Sequence, residues 1–514
     1  MPDEKLEKGL KTLADADLIY LRGIPPDAVY RFKHALVRDA AYELLLRSRR
    51  RELHATVANA IQESFPSRAK AEPELVAHHF AEAGESDQAR KLWKLAGENA
   101  ASRGAFRESE DHFRRAISAL APMPNSDKRS AREMQLQLEL GQVLAASRGY
   151  SAPETAAAYA RARALSESFD SGSPAALLLG LWAVAVTRAD VEGARQLANR
   201  ALESSQDARR VVQSWAHYSQ GITHFFWGDL QEAETYLIRS AETYDGEQGG
   251  AFPQNPRIDS LAVAGSTAWL LGRPDTALQR VSQAWKDAHD LNLPFDIAFV
   301  GPWICSVLIW RQEFAQALET AEQLLAISTA HHFPLFVALA KMYKGSALCA
   351  LGSASAGISL MREGLAGNLE LGRRLALPEL LTWLAEGQMR AGVLRDSAST
   401  INDALNAAPA DLYWRPETLR LRGEATLKFA SSMTDRDGGT ARQQRAEQDF
   451  LEARALANRI GARSLELRAA TSLARLYLSR GERSRAQELL DPILSTFAEG
   501  HATSDFRQAR ELLG

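Results

Sequence analysis

Two adjacent histidine pairs are the first residues of this sequence whose types suggest chemistry, because imidazole nitrogens bind metals and transfer protons. The pairs are His78-His79 and His331-His332. Neighbouring residues on a helix point about 100° apart, so neither pair is a natural two-ligand chelate. We therefore expect these histidines to cap helices or to lie at the surface, and we predict no metal site.

The chain contains two cysteines, Cys305 and Cys349, which are 44 residues apart. Neither belongs to a Cys-x-x-Cys pattern or has histidine at zinc-ligand spacing, so the sequence predicts neither a disulfide framework nor a zinc site. This usage of cysteine fits a reducing cytoplasm. Cys305 falls where a helical repeat needs a small residue, and we expect a buried packing thiol there rather than a nucleophile.

The common catalytic motifs are missing from the sequence. It contains no Gly-Lys dipeptide and therefore no phosphate-binding loop of the G-x-x-x-x-G-K-[ST] type. H-E-x-x-H and G-x-S-x-G are missing as well, which removes the usual metalloprotease and hydrolase signals. We expect a protein that is not an enzyme and that carries no cofactor.

One basic run and one aromatic stripe could bind partners. "RSRRRELH" (47–54) is either a solvated helix face or a phosphate contact, and the net charge of -3 argues against a dedicated nucleic-acid binder. The second feature consists of Trp215, Tyr218, Ile222 and Phe225, which recur at three- and four-residue spacing along one helix face. This stripe either anchors a peptide or small ligand in a groove or packs against the preceding helical hairpin.

The elements that must position these residues are helices arranged in repeats. Alanine, leucine, arginine and glutamate dominate, and short Gly, Pro, Asp or Ser clusters interrupt long helical periods. "LWKLAGENAASRGAFRESEDHFRRAISAL" places a small residue, Gly97, in a first helix and a large one, Phe113, in a second. The layout returns around Gly221 and Gly345, which resembles the tetratricopeptide repeat (TPR) family from about residue 87 to the end.

This resemblance implies an all-α fold: a TPR-like α-solenoid, a right-handed superhelix of about ten helical hairpins with a concave face. We expect irregular loops at 245–257 and 431–444, where Pro, Gly and polar residues cluster. The longest apolar run, "SPAALLLGLWAVAV" from Ser173, is too short to span a bilayer, so no membrane association is predicted.

The front of the chain, "YRFKHALVRDAAYELLLRSRRRELH" (30–54), has a different rhythm. Its apolar residues Phe32, Leu36, Ala40 and Leu44 step by four, which predicts one helix with a wide apolar face that requires burial. A docking surface on this helix would include Phe32, His34, Leu36, Tyr42, Arg50 and His54.

The same stretch resembles the segment that follows the ATPase core in bacterial STAND-type signalling proteins. The pattern F-K-H-A-L-[VI]-x-D-A-A-Y-x-x-L-L-x-x-x-R-x-x-L-H is matched from Phe32 to His54. The last repeats are similar to the C-terminus of the same group, whose members couple a class III adenylate or guanylate cyclase to an ATPase and a TPR array. The resemblance implies a small winged-helix-like lid at 1–65 and the array at 66–514.

Only about thirty residues precede this motif, so we expect neither the cyclase nor the ATPase domain within this chain. The chain would be a stand-alone regulatory piece, a split or truncated product of a larger parent, or a fragment that bears the parent's activity by name.

The resulting prediction is a non-enzymatic, cytoplasmic TPR scaffold or sensor in bacterial signal transduction. It would bind a protein, a peptide or a small ligand in its concave groove and regulate an ATPase or cyclase module. A solenoid deforms easily, so a ligand that prefers one curvature would shift the lid. The alternatives are a fragment of a cyclase or ATP-binding enzyme and a transcriptional regulator of the STAND type.

Overall fold

The computed structural model describes residues 3–24, 28–167, 174–246, 252, 254–431 and 436–514. These residues form 26 α-helices and one two-stranded sheet, which confirms the predicted all-α class. The chain divides into two compact units. The first, called here the N-terminal unit, comprises residues 1–99 and 111–125, and the second, called the array unit, comprises residues 100–110 and 126–514.

The N-terminal unit begins with a helix and a β-hairpin, and a series of helices follows. Strand β1 pairs antiparallel with β2, with Ile19 opposite Phe32 and Arg22 opposite Val29. Helix α3 packs against α5, whose buried residues include Val76 and Phe80. The elements are α1 (Asp3–Asp15), β1 (Ile19–Arg22), β2 (Val29–Phe32), α2 (Ala35–Glu43), α3 (Arg47–Ser64), α4 (Pro66–Ala71), α5 (Pro73–Ala83), α6 (Ser86–Ser102) and α7 (Phe106–Ser118).

The prediction of one helix over 30–54 is wrong. Residues 29–32 form β2, because their β-branched and aromatic side chains suit a strand that pairs with β1. His34 has extended backbone angles and precedes α2, and a break at residues 44–46 separates α2 from α3. The face that this helix would have presented is therefore divided among a strand and two helices.

The array unit is a succession of antiparallel helical hairpins. Its described residues form nine hairpins, α8–α9 through α24–α25. Together with α6–α7, which lies mainly in the N-terminal unit, the total agrees with the predicted number of about ten. A final helix, α26, follows them. The remaining helices are α8 (Asp127–Arg148), α9 (Pro153–Ser166), α10 (Ala175–Thr187), α11 (Val191–Ser204), α12 (Arg210–Trp227), α13 (Leu230–Thr243), α14 (Pro256–Leu270), α15 (Pro274–Asp290), α16 (Pro294–Trp310), α17 (Phe314–Ala330), α18 (Pro334–Ala350), α19 (Ala354–Glu370), α20 (Leu377–Arg390), α21 (Leu394–Ala407), α22 (Arg415–Ser431), α23 (Arg436–Arg459), α24 (Arg463–Ser479), α25 (Arg483–Leu494) and α26 (Ser504–Glu511).

The predicted pairing of small and large residues within a hairpin is present. A Cβ atom added to Gly221 of α12 would lie 2.6 Å from Cγ of Leu237 on α13. At Gly97 of α6, the added atom would lie 3.0 Å from the ring of Phe113 on α7. Each glycine therefore lets a bulky side chain of the second helix reach the backbone of the first, and this close approach sets the hairpin geometry.

The two predicted loops fall partly outside the described residues. Residues 247–251 and 253 of the segment 245–257, and residues 432–435 of the segment 431–444, are not described. The described part of the second segment is largely helical, because α23 begins at Arg436. The apolar run from Ser173 contributes α10, which is buried along most of its length. No helix in the described parts of the chain has the length and apolar character to cross a membrane.

The array unit closes on itself through hydrogen bonds between hairpins that are distant in sequence. The carbonyl oxygen of Thr187, at the end of α10, accepts hydrogen bonds from the backbone of Arg374 at 2.9 Å and Leu375 at 3.1 Å. The backbone N–H of Leu412 donates to the Phe226 carbonyl oxygen at 3.0 Å. First helices of early hairpins thus end against the connectors of late ones, and the unit acquires an interior.

Candidate functional site

A cavity of about 110 Å³ lies in the interior of the array unit. It is bounded by the first helices α10, α12, α16 and α18 and by the connector between α19 and α20. Aromatic side chains dominate its wall, which includes Trp182, Trp215, Tyr218, Trp303 and Phe336. We call it the aromatic cavity. A concave apolar site with few polar groups is the usual form of a ligand pocket.

The rings of the aromatic cavity hold one another in edge-to-face contacts. The ring centroids of Trp215 and Phe252 are 4.8 Å apart, and those of Trp215 and Tyr218 are 5.1 Å apart. Trp182 makes a similar contact with Tyr218 at 6.1 Å. Such pairs stabilise a fixed ring arrangement beyond the burial of apolar area. The wall is therefore largely preformed.

The predicted aromatic stripe divides between the cavity and the packing behind it. Trp215, Tyr218 and Ile222 line the aromatic cavity and are almost completely buried. Phe225 does not line it, and packs instead against Trp303 at 5.7 Å and Tyr413 at 4.9 Å between ring centroids. Three residues of the stripe are therefore packed in the interior and also border a cavity. That they anchor a ligand there stays a prediction.

Sequence reasoning missed a cationic residue of the cavity wall. Arg373 lies in the connector 371–376 between α19 and α20 and lines the aromatic cavity. The connectors of the two preceding junctions are shorter, since 291–293 joins α15 to α16 and 331–333 joins α17 to α18. The longer connector, which carries two adjacent arginines before the apolar start of a helix, was the available signal.

A second cavity of the array unit is polar and has a volume of about 270 Å³. Its wall includes Glu417, whose carboxylate accepts hydrogen bonds from Arg420 Nη2 at 2.7 Å and Arg468 Nη1 at 3.4 Å. Although burial opposes it, the charges of the two guanidinium groups lower the pKa of Glu417 to about 2. Arg468 also donates from Nε to Asp505 at 2.8 Å. Since these charges are paired with each other, we assign the group a structural role.

Glu379 is a buried acid that interacts with Trp310 of the polar cavity wall and with Arg373 of the aromatic cavity wall. Its carboxylate accepts hydrogen bonds from Trp310 Nε1 at 3.0 Å and from the Tyr413 hydroxyl. Burial raises the pKa of Glu379 to about 7, in spite of these bonds and of the positive charge of Arg373. The carboxyl group is thus only partly ionised at neutral pH.

In the N-terminal unit, three of the predicted docking residues come together. Tyr42 and His54 share a hydrogen bond of 2.9 Å, and the guanidinium of Arg50 lies 5.1 Å from the Tyr42 ring centroid. His54 Nδ1 is 2.8 Å from Nδ1 of His79, so one of the two rings donates a proton to the other. Burial lowers the pKa of both histidines.

The other three predicted docking residues do not join this cluster. Phe32 lies on β2 and His34 precedes α2, while Leu36 is 83% exposed. Leu44, on the predicted apolar face, is 86% exposed. The two leucines are therefore not buried within the chain, because the break between α2 and α3 leaves them at the surface of the N-terminal unit. A docking role for this surface stays a prediction.

The remaining chemical candidates have packing roles. Cys305 is completely buried in α16, and burial raises the pKa of its thiol well above the usual value. His331 stacks on Phe333. Among the described residues, no group of three or more His, Cys, Asp or Glu side chains is arranged to hold a metal ion.

Comparisons with known proteins found one curated relative and several similar solved structures. No family model matches the chain. An uncharacterized protein of Rhizobium meliloti (strain 1021) is 24% identical over 87% of this chain and 46% of its own length. The chain therefore spans about half the length of the curated relative it matches.

Several solved structures are similar to this chain. A Rap protein complexed with competence and sporulation factor covers 74% of this chain and 99% of its own, with 12% identity and a TM-score of 0.48. The apo form of the quorum sensor NprR from B. thuringiensis covers 72% and 99%, with 10% identity and a TM-score of 0.44. A STAND protein with a tetratricopeptide repeat sensor from Pyrococcus horikoshii covers 77% and 56%, with 14% identity and a TM-score of 0.38.

Proposed function

We propose that this chain is a non-enzymatic helical sensor or scaffold that binds a peptide or a segment of a partner protein in the aromatic cavity. The observation that carries the proposal is the preformed aromatic wall contributed by first helices of the array unit. Trp215 and Tyr218 are anchored by edge-to-face contacts around a space that the protein itself does not fill. Aromatic residues in such pockets dominate the affinity of many interfaces.

The regulatory part of the proposal concerns a further module. We propose that the N-terminal unit docks onto an ATPase or cyclase module, as the resemblance to STAND-type proteins suggests. The exposure of Leu36 and Leu44 supports it, because both large apolar side chains are accessible to a partner. Reading the coding DNA on both sides of this sequence for an in-frame ATPase, and assaying the purified chain for nucleotide binding, would test this part. An in-frame ATPase domain is expected, and nucleotide binding by the chain alone would favour the enzyme alternative.

The proposal that the aromatic cavity binds the peptide is tested by a substitution that fills the cavity. Ala183 lies on α10, lines the aromatic cavity and is 4% exposed, so Ala183→Leu places additional atoms in the space. Peptides would be selected from a random-peptide phage library on the parent chain, synthesised, and measured by titration calorimetry. We expect Ala183→Leu to weaken binding at least tenfold, which corresponds to about 1.4 kcal/mol.

The control is Ala391→Leu, since Ala391 is the C-cap residue of α20 and does not line the cavity. Thermal unfolding followed by circular dichroism would show that both variants remain folded. Equal affinity of the peptides for the parent and for Ala183→Leu would place the binding site elsewhere. Failure to select any peptide would overturn the proposal that this cavity takes peptides.

A further inference from the structure

The backbone that carries Arg373 is fixed to the cavity wall. Gly372 has a positive φ of +73°, which turns the chain after α19. The two backbone N–H groups that follow Arg373, those of Arg374 and Leu375, donate to the carbonyl oxygen of Thr187 on α10. Arg373 therefore sits on a connector that is held at both sides and does not depend on a flexible loop for its position.

The guanidinium of Arg373 lies deep in the array unit and has no acidic partner in direct contact. Its Nη1 donates to Asn368 Oδ1 at 3.3 Å. Within the described part of the chain, no carboxylate oxygen lies within 4.0 Å of it. The residue still retains accessible surface, because it faces the aromatic cavity.

Burial lowers the pKa of Arg373, whereas the other described arginines with shifted pKa values have them raised by acidic partners. Two acids act on Arg373 from beyond ion-pair distance, Glu379 and Asp411. Burial raises the pKa of Glu379 to about 7 and that of Asp411 well above its usual range. Both carboxyl groups act on Arg373 from a distance and form no ion pair with it.

Two other hydrogen-bond donors of the cavity wall also lack an acceptor. Trp215 is 1% exposed, and its Nε1 has no hydrogen-bond partner. Within the described residues, the Tyr218 hydroxyl likewise makes no hydrogen bond, although the nearby Tyr150 and Gln254 bond to each other at 2.9 Å. A buried donor without an acceptor is costly, so Trp215 Nε1, beside a tyrosine hydroxyl that makes no hydrogen bond, favours a ligand that brings acceptor oxygens.

We propose that the aromatic cavity recognises a carboxylate joined to a small apolar group. Arg373 binds the carboxylate, and the rings of Trp182 and Trp215 enclose the apolar group. A planar guanidinium matches a carboxylate through two parallel hydrogen bonds, which are strong in a low-dielectric site. This inference rests on the proposed function, because it names the ligand class of the same cavity.

The volume of the aromatic cavity limits the size of the apolar group that it can enclose. An apolar cavity of about 150 Å³ accommodates benzene, so 110 Å³ suits a short branched aliphatic group or a single ring. Two sources present this chemistry: a free carboxylic acid, and the C-terminus of a peptide that ends in leucine or a similar residue.

The experiment compares each acid with its amide on the full chain. Titration calorimetry would use 3-methylbutanoate and phenylacetate with their amides, and the peptide Gly-Gly-Gly-Leu with a free or amidated C-terminus. We expect the carboxylates to bind at least tenfold more tightly than the amides. Arg373→Met should remove this preference, and Arg374→Met, at the exposed neighbouring position, should keep it.

The outcomes separate the two proposals. If Arg373→Met loses the fold, Arg373→Lys, which keeps the charge and loses the bidentate geometry, should weaken carboxylate binding without affecting the amides. Equal binding of acids and amides in the parent and in Arg373→Met would overturn carboxylate recognition and leave the cavity as a ligand site. If none of the acids or peptides binds, carboxylate recognition is overturned, and the phage selection decides independently whether the cavity takes peptides. Binding of the free acids alone, or of the peptide alone, would identify the source.

Discussion

Gly345 of α18 and Gly357 of α19 pack backbone against backbone. A Cβ atom on Gly345 would lie 2.6 Å from the carbonyl oxygen of Gly357 and 2.6 Å from Cγ of Met361. A carbonyl oxygen in a helix cannot move aside as a flexible side chain can. The contact therefore fixes the distance between the two helices of this hairpin.

Gly345→Ala should destabilise the array unit, although alanine is normally the better helix former. We expect a loss of about 1–3 kcal/mol in the free energy of unfolding, the usual range for overpacking, measured by urea denaturation. Gly367→Ala in α19 is the matched control, because its added Cβ would meet only Cβ of Ala338, at 3.3 Å. Equal stabilities of the two variants would show that the hairpin can separate at low cost.

The helical repeat could be predicted from the sequence because it is a local pattern. Small residues such as Gly221 recur opposite large ones such as Leu237, and the structure brings these pairs into contact. The stripe from Trp215 was also visible, because helical periodicity groups residues on one face. Whether a face borders a cavity depends on distant elements, and Phe225 shows the limit: it belongs to the same stripe but packs behind the wall.

The front of the chain shows why periodicity can mislead. Spacing by four from Phe32 to Leu44 predicted one helix, yet the register with β1 places Phe32 in a strand. Pairing of this kind joins separated segments and leaves no helical signal. Arg373 could not be predicted as a cavity residue for a related reason. Closure of the array places it in the cavity wall, and its neighbours in sequence carry no sign of that closure.

Glu379 predicts an unusual pH dependence. Its pKa is raised to about 7 in the folded chain by burial, compared with an ordinary value of 4.5. Between these values the folded state binds a proton that the unfolded state releases, so the contribution of Glu379 to stability decreases as the pH rises from 4.5 to 7. Melting temperatures measured across this range should show it, and Glu379→Gln should reduce the slope. Glu363→Gln, at an exposed ion pair with Lys341, should leave the slope unchanged.

Glu417 predicts the opposite behaviour at lower pH. The guanidinium groups of Arg420 and Arg468 lower its pKa to about 2 against the effect of burial, so its stabilisation is complete above pH 4.5 and is lost as the pH falls toward 2. At pH 7, Glu417→Gln removes the anion that Arg420 and Arg468 share, although Arg468 keeps Asp505 as a partner, and we expect a loss of about 1.5–3 kcal/mol. Denaturant titration would measure it. Asp396→Asn, at an exposed pair with Arg362, should have no measurable effect, and a similar loss there would contradict the assignment.

Leu36→Asp and Leu44→Asp should leave the fold unchanged, because both side chains are more than four-fifths exposed. We expect changes within about 0.5 kcal/mol in the free energy of unfolding, and gel filtration should show equal or reduced self-association. Val76→Asp, at a fully buried position of α5, is the control and should unfold the N-terminal unit. Unfolding by either leucine substitution would show that the surface is covered within the chain.

His54 and His79 should titrate below pH 6.5, because burial and their mutual repulsion lower the pKa of His79, and burial lowers that of His54. The hydrogen bond between their Nδ1 atoms requires one neutral ring, so the pair stabilises the N-terminal unit above pH 6.5 and loses this effect as the pH falls. NMR titration would give both pKa values. In His54→Asn, the pKa of His79 should rise, whereas His501→Asn should leave it unchanged.

The hydrogen bonds that close the array unit also bear on how it folds. An open repeat protein can form hairpin by hairpin, since each unit contacts only its neighbours. Here Ser464 Oγ donates a hydrogen bond to the Trp269 carbonyl oxygen at 2.5 Å. The backbone N–H of Leu412 donates to the Phe226 carbonyl oxygen at 3.0 Å. Contacts between residues so distant along the chain slow folding, because the intervening segment must first be ordered. The wall of the aromatic cavity is complete only once the connector 371–376 has been synthesised, because Arg373 and Leu375 line it.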